Sequence, residues 1–264
     1  MRTKKHILYF ALIAMMIGMA ALFVGCGDSA ETADTADNAG QEANADISGV
    51  AKIDGDKEWV YDADYSLPTD VDSFYGYSDQ SRLIQVSDLV VPYINIDSED
   101  AKAANDEIYG IYEKLIKEFN EDAKEGVWFT VSNYEAYNSD WAISVVIDET
   151  SEGTDVPWHE YTTYTFSKED GSLMSYEDAC QAADMTVDEA AEVAKKNIED
   201  NILIDFAHVD DIDSYIQKSI EGYDAAVEDG SIGFFLDNDR KLSVAIEEFV
   251  PAGGGSANVI IPVF

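Results

Sequence analysis

Trp128-Phe-Thr-Val-Ser-Asn-Tyr-Glu-Ala-Tyr137, then Asn138-Ser139-Asp140, then Trp141-Ala-Ile-Ser-Val-Val-Ile147: two runs rich in β-formers meet at three residues of turn chemistry. In the second run Trp141, Ile143, Val145 and Ile147 alternate with the intervening positions, the period of a strand with two different faces. His159 to Phe166 supplies a third run, dense in Thr and Tyr, and Asp170-Gly171 closes a turn behind it. Strands that follow one another without helices between them depart from β-α-β alternation.

Working outward, a helix precedes this hairpin. Asp97 or Ser98 can cap it, and Glu99 and Asp100 stand in the first turn, where the helix dipole favours acid. Ala101, Ala104, Ile108, Ile111, Leu115 and Phe119 recur on one helical face, and Gly126 lies past its end. Ahead of the helix, Trp59-Val-Tyr, Arg82-Leu-Ile-Gln-Val and Val90 to Ile96 read as extended, with Pro92 at an edge or a strand end. Behind the third strand, Tyr176 to Ala183 looks helical, Thr186 and Glu189 form a capping box, and Asp211 starts a helix carrying Ile212, Tyr215, Ile216, Ile220 and Tyr223. Three last strands are expected at Ile232–Leu236, Leu242–Glu247 and Asn258–Val263. The order β-α-βββ-αα-βββ groups like elements, so the expected class is α+β with mixed or antiparallel sheets.

The N-terminus carries an address. Arg2, Lys4 and Lys5 precede an uncharged apolar stretch from Ile7 to Val24, which ends at Gly25-Cys26. Leu22-Phe-Val-Gly-Cys26 resembles a bacterial lipobox, with Phe23 where leucine is commoner. The resemblance implies that residues 1–25 are a signal peptide and that Cys26 is lipidated. A diacyl anchor would hold the protein on the outer face of the cytoplasmic membrane. Residues 26–57 are small, acidic and nearly free of large apolar side chains, which predicts a disordered tether. The folded region is expected over 58–264, as a smaller module (58–125) and a larger one (126–264), or as one continuous domain.

The chain has 16 basic and 54 acidic residues; without residues 1–25 the balance is 13 against 54. Phosphates would be repelled, so nucleic acid is not an expected partner. A cationic partner would be attracted, although the same charge also serves solubility. Cys180, the one cysteine besides Cys26, has Glu177 and Asp178 nearby, the wrong sign for a reactive thiol, and reads as a buried structural residue.

Outside residues 1–25 the histidines are His159 and His208, too few and too far apart for a typical zinc site. Local catalytic motifs are absent, so no catalytic residue and no cofactor are expected. Asp237-Asn238-Asp239 has oxygen ligands, but from Asp237 the sixth position is Leu242 and the twelfth Glu248, not the Gly and Glu of an EF-hand; a hairpin turn is the expected reading. Gly253-Gly254-Gly255 is read as a bulge or crossover and Asp210-Asp211-Ile212-Asp213 as a helix cap. Trp59, Tyr61, Phe74, Tyr75 and Tyr77 gather in a polar, turn-rich stretch with Tyr65, and are the candidate partner-binding residues. Edge-strand or core aromatics are the alternative for the same cluster.

The run Tyr161-Thr-Thr-Tyr-Thr-Phe166, Asp170-Gly171, Leu173 to Asp178, a helical pair, Phe234-Phe-Leu-Asp-Asn-Asp-Arg-Lys-Leu242, and finally Pro251-Ala-Gly-Gly-Gly with Ile260-Ile-Pro-Val is similar to a module of unknown function. That module closes the extracellular part of lysozyme-sensing anti-sigma factors of the RsiV type and accompanies peptidoglycan deacetylases of the PdaC type. Val91-Pro-Tyr-Ile-Asn to Ile108 resembles the smaller module preceding it. The resemblance implies an α+β fold at the cell surface and, for RsiV-like proteins, lysozyme binding. No cytoplasmic anti-sigma segment, mid-chain membrane helix or deacetylase metal domain is recognised here, so direct sigma-factor control is not expected. The expected function is a non-enzymatic surface lipoprotein that binds a cationic protein such as lysozyme, or peptidoglycan. A wall-acting hydrolase or deacetylase relative is the alternative, and a purely structural envelope lipoprotein a third reading.

Because the thioether forms only on sulfur, Cys26→Ser is expected to abolish acylation. Labelled fatty acid should co-migrate with the wild-type protein and not with the variant; equal labelling of both would remove Cys26 as the anchor.

Overall fold

The computed structural model describes residues 49–65, 73–75, 83–85, 89–125, 129–152, 158–251 and 255–264, of which 73–75, 83–85, 118–125, 129 and 152 are described by their backbone alone. The expected signal peptide, Cys26 and most of the expected tether lie outside the described residues. The first four strands are β1 (Val60–Asp62), β2 (Ser73–Tyr75), β3 (Leu83–Gln85) and β4 (Pro92–Ile94); β1 pairs with β4 and β2 with β3. Helix α1 (Glu99–Glu125) leads to the sheet β5-β6-β7, formed by β5 (Phe129–Asn138), β6 (Ala142–Glu152) and β7 (Trp158–Ser167). Then come α2 (Tyr176–Ala182), α3 (Val187–Phe206) and α4 (Ile212–Asp229), and the sheet β10-β9-β8, formed by β8 (Gly233–Leu236), β9 (Leu242–Phe249) and β10 (Ser256–Pro262). All these strand pairs are antiparallel. The chain is α+β, in broadly the expected order.

Local chemistry explains the boundaries. The β5–β6 turn hangs on Ser139, whose Oγ accepts the N–H of Ala142 at 3.1 Å and of Trp141 at 3.3 Å. Ser98, rather than Asp97, caps α1: its Oγ accepts the N–H of Ala101 at 3.1 Å. Thr186 and Glu189 make the expected capping box at α3, and Ser175 and Asp178 make a second one at α2. Asp211 occupies the N-cap position of α4 in a left-handed conformation (φ 64°) without a side-chain capping bond. Its carboxylate instead accepts the hydroxyl of Ser214 at 3.1 Å.

The alternation read in β6 becomes two buried faces. Ile143, Val145 and Ile147 pack against Ala101, Ala104, Ile108 and Leu115 of α1, together with Tyr164 and Phe166 of β7. This core crosses the expected 125/126 boundary, so the two expected modules share it. A second core joins Tyr176, Cys180, Ala190, Ala194, Ile198, Ile202 and Tyr223 of the helices to Leu242, Val244, Ile246, Ile261 and Val263. Cys180 is fully buried there, and burial pushes its thiol up to about 11, as suits a structural residue.

The two layers meet through hydroxyls. β8 is an edge strand, and its outer backbone groups would lie unpaired against the first sheet. Instead Phe234 N–H donates to Thr163 Oγ1 at 3.0 Å and Leu236 N–H to Ser144 Oγ at 3.1 Å. Thr165 Oγ1 sits 3.3 Å from the carbonyl oxygen of Phe234 and 3.2 Å from Ser144 Oγ. A Cβ on Gly233 would come within 3.4 Å of Thr163 Oγ1 and 3.3 Å of the Ala245 Cβ, so a bare backbone suits this approach.

The expected tether is corrected at its C-terminal end, because residues 50–58 are bound to the fold. Asp97 N–H donates to the Ala51 carbonyl at 2.9 Å. Asn95, fully buried, accepts from Asp54 N–H and donates to the carbonyls of Asp54 and Glu58, each at 2.8 Å. This stretch has few apolar side chains, but Val50 packs against the first core, and the bonds to the Asn95 amide need none.

Removing the Ser144 hydroxyl leaves Leu236 N–H buried without its acceptor, which costs about 1–3 kcal/mol. Ser144→Ala is therefore expected to lower Tm by about 2–4 °C per kcal/mol lost. An unchanged Tm in thermal denaturation would mean that the β8 edge does not depend on this bond.

Candidate functional site: a tyrosine groove rimmed by carboxylates

The candidate aromatics separate in the structure. Trp59 is half-buried beside the first core, with Lys52 Nζ 4.9 Å and Lys168 Nζ 5.9 Å from its ring centroid. Tyr61, two residues further on in β1, is not in that core; it stacks on Tyr93 of β4 at 5.2 Å, with Lys57 Nζ 4.8 Å from its ring. Phe74 and Tyr75 lie on β2, whose backbone alone is described, and Tyr77 lies outside the described residues. The structure thus brings Tyr61 to a tyrosine surface and makes Trp59 largely a packing residue.

That surface continues onto α1. Tyr65 contacts Tyr109 edge-on and Tyr112 in a tilted arrangement, both at 5.0 Å. Beside it opens a groove of about 570 Å³, lined by Ile53, Tyr65, Tyr93 and Tyr109, with Asp97, Glu99 and Asp106 at its rim and Lys102 among them. Its walls come from the bound N-terminal stretch, the segment after β1, β4 with its junction to α1, and the first three turns of α1. Tyr109 and Ile53 are exposed, so the groove presents apolar surface to solvent. Burial raises the Tyr65 phenol, and a hydrogen bond to Glu113 raises that of Tyr109, so both remain neutral donors at physiological pH. Neutral phenols facing carboxylates suit a ligand that carries positive charge and some apolar surface.

Tyr93 and Tyr109 were not among the candidate residues. Tyr93 lies in a strand read for its edge proline, and Tyr109 falls off the apolar face of α1. An aromatic at a solvent-facing helical position, three residues before another tyrosine, is the signal that was there to find.

His159 lies within β7, as the third run placed it, half-buried and directly opposite Thr150 of β6. Its Nδ1 is 2.9 and 3.1 Å from the two carboxylate oxygens of Asp148, and the ring stacks on Tyr161 at 5.7 Å. Thr150 Oγ1 approaches the same Nδ1, at 3.3 Å. A nucleophile relay needs the hydroxyl on one ring nitrogen and the carboxylate on the other; here both meet Nδ1. The pair joins strands rather than activating the threonine. His208 is exposed beyond the end of α3.

Asp237-Asn238-Asp239 forms the expected hairpin turn. The Asp237 carboxylate accepts the N–H groups of Asp239 and Lys241, each at 2.8 Å, and Arg240 takes the left-handed conformation (φ 64°) that closes the turn. Of the glycine run, Gly253 and Gly254 lie outside the described residues, while Gly255 accepts the Val250 N–H at 3.1 Å. Compared with known protein families, curated proteins and solved structures, the chain matches none.

The hydrogen bond to Asp148 raises the His159 pKa, while burial opposes it. A raised histidine contributes stability that is full below its unfolded pKa, about 6.5, and is lost as pH rises through the folded value. Asp148→Asn is expected to shift the His159 imidazole titration downward in an NMR pH series. An unmoved titration would mean that Asp148 does not govern it.

Proposed function

We propose that this protein is an exported, lipid-anchored binding module that captures a cationic protein at the cell surface, lysozyme being the leading candidate. The observation that carries this reading is the tyrosine groove: half-buried Tyr65 and Tyr93 beside exposed Tyr109, edged by Asp97, Glu99 and Asp106. Tyrosines provide contact area with little side-chain entropy to lose, and an acidic field speeds the approach of a basic partner. The chain's excess of acid over base, 54 residues against 16, extends that field beyond the groove. The lipobox resemblance at Cys26 supports the location, and the resemblance to RsiV-type ectodomains supports the choice of lysozyme; it rests on strand order and the quoted patterns. Cell-wall glycan is a second ligand class for the same aromatic surface. The charge favours the protein ligand, since neutral sugars gain nothing from it. The hydrolase reading is not favoured by the shared-nitrogen geometry at His159.

Calorimetric titration with lysozyme at low ionic strength tests the proposal. Binding is expected and should weaken as salt rises, because exposed charges more than about 8 Å apart are screened at physiological strength. The double variant Tyr93→Ala, Tyr109→Ala should weaken it about tenfold or more, given that central interface aromatics cost roughly 2 kcal/mol when truncated. Absence of binding at low salt rejects the cationic-protein reading, and retention on purified peptidoglycan instead would select the glycan.

A further inference from the structure

A second, larger groove, of about 680 Å³, lies between the β5–β6 turn, the connection from β7 to α2, and α2 itself. Its most prominent side chain is Trp141, 59% exposed. The backbone beneath this indole is held firmly: Trp141 N–H donates to Ser139 Oγ at 3.3 Å, and its carbonyl accepts the Lys168 N–H at 2.9 Å. An exposed tryptophan on a fixed turn is costly to solvate and loses little freedom on binding, the properties of an interface anchor.

Two further observations specify what the indole takes. The first is that it already carries a guanidinium. The Arg240 Cζ lies 5.9 Å from the Trp141 ring centroid. Arg240 is held there by the Ala182 carbonyl at 3.4 Å and by Asp184 at 3.2 Å. The second is the rim. Asp140, Glu169, Asp170 and Asp178 line the groove, and hydrogen bonds from Ser172 hold Asp170 below its usual carboxylate range, hence charged. Lys168, the basic residue of the lining, has its ammonium 5.9 Å from the Trp59 ring.

We infer that the Trp141 groove receives an arginine-bearing segment of a cationic protein partner, with the incoming guanidinium against the indole and its N–H fork on the rim carboxylates. Arginine suits this site better than lysine, because its planar cation stacks on an aromatic face and donates to carboxylates through the same group. The inference rests on the proposed capture of a cationic protein and adds to it a site apart from the tyrosine groove, together with the side chain that site reads.

The test is a fluorescence and calorimetric titration of the whole folded chain with a blocked tri-arginine peptide, tri-lysine and a chitin oligosaccharide. Tri-arginine is expected to bind and to perturb tryptophan emission, with tri-lysine several-fold weaker. Trp141→Ala should weaken tri-arginine about five- to tenfold. The exposed pair Asp140→Asn, Glu169→Gln should weaken it comparably while leaving the indole in place, which keeps the test valid if the alanine variant folds poorly. Tri-arginine binding unchanged in both variants, or no binding to the wild-type chain, overturns the inference; so does emission that responds to the oligosaccharide and not to the peptide. Lysozyme binding that is insensitive to Trp141 but lost on tyrosine substitution would overturn this site and leave the proposed function standing. Peptide binding that depends on Trp141, without any lysozyme binding, would do the reverse.

Discussion

The fold depends on how the free edge of β8 is satisfied. An edge strand laid onto another sheet buries backbone donors and acceptors that cannot find a strand partner, and each such group left bare costs more than an ordinary bond gains. Ser144, Thr163 and Thr165 meet this demand with side-chain oxygens at 3.0–3.3 Å. Once β8 is seated, β9 and β10 follow by antiparallel pairing, and the three helices have a sheet face to cover. Two turns distant in sequence are also brought together: Asn138 N–H donates to the side chain of Asn238 at 2.8 Å, and Tyr137 stacks on Phe235 at 5.2 Å. That meeting puts Arg240 beside Trp141.

A second junction places the first groove. Gly171 has φ 77°, and a Cβ there would stand 2.8 Å from a Val50 methyl, 3.0 Å from an Ile96 methyl and 3.0 Å from the Ser98 Cβ. The β7–α2 turn, the N-terminal stretch and the start of α1 therefore close on one glycine. Leu173 N–H adds a bond to the Asp100 carboxylate at 2.9 Å. Because Val50 is locked here and Asn95 holds the following loop, Ile53 is set beside the tyrosines of β4 and α1. Without this junction the same residues would lie on an unattached strand end.

Charge and packing divide the work between them. The cores are largely apolar and disulfide-free among the described residues; Glu149 and Glu248 are buried, while many other carboxylates cap helices and shape turns. Asp170, Asp178, Glu189 and Asp237 each accept local N–H or hydroxyl bonds. Many carboxylates that seem free in composition are thus local structural acceptors, and a groove is better identified by its exposed aromatics than by its acid alone.

Much of this was legible along the chain because it is local. Period-2 alternation in β6, the 3.6-residue pattern of α1, the Thr186–Glu189 box and the Asp237 turn each depend on residues a few positions apart, and each marks its element in the sequence. The α+β class follows from their order. The grooves were not legible in the same way. Trp59 and Tyr61 are two residues apart and read as one cluster, yet Trp59 lies against the core while Tyr61 stacks on Tyr93. Which strand pairs with β1 decides that, not composition. Tyr109 reaches Tyr65 across 44 positions, and Trp141 meets Arg240 across 99. Periodicity tells which residues share a face of one element; which faces of different elements meet is set by long-range packing, by the hydroxyls under β8 and by the space left at Gly171.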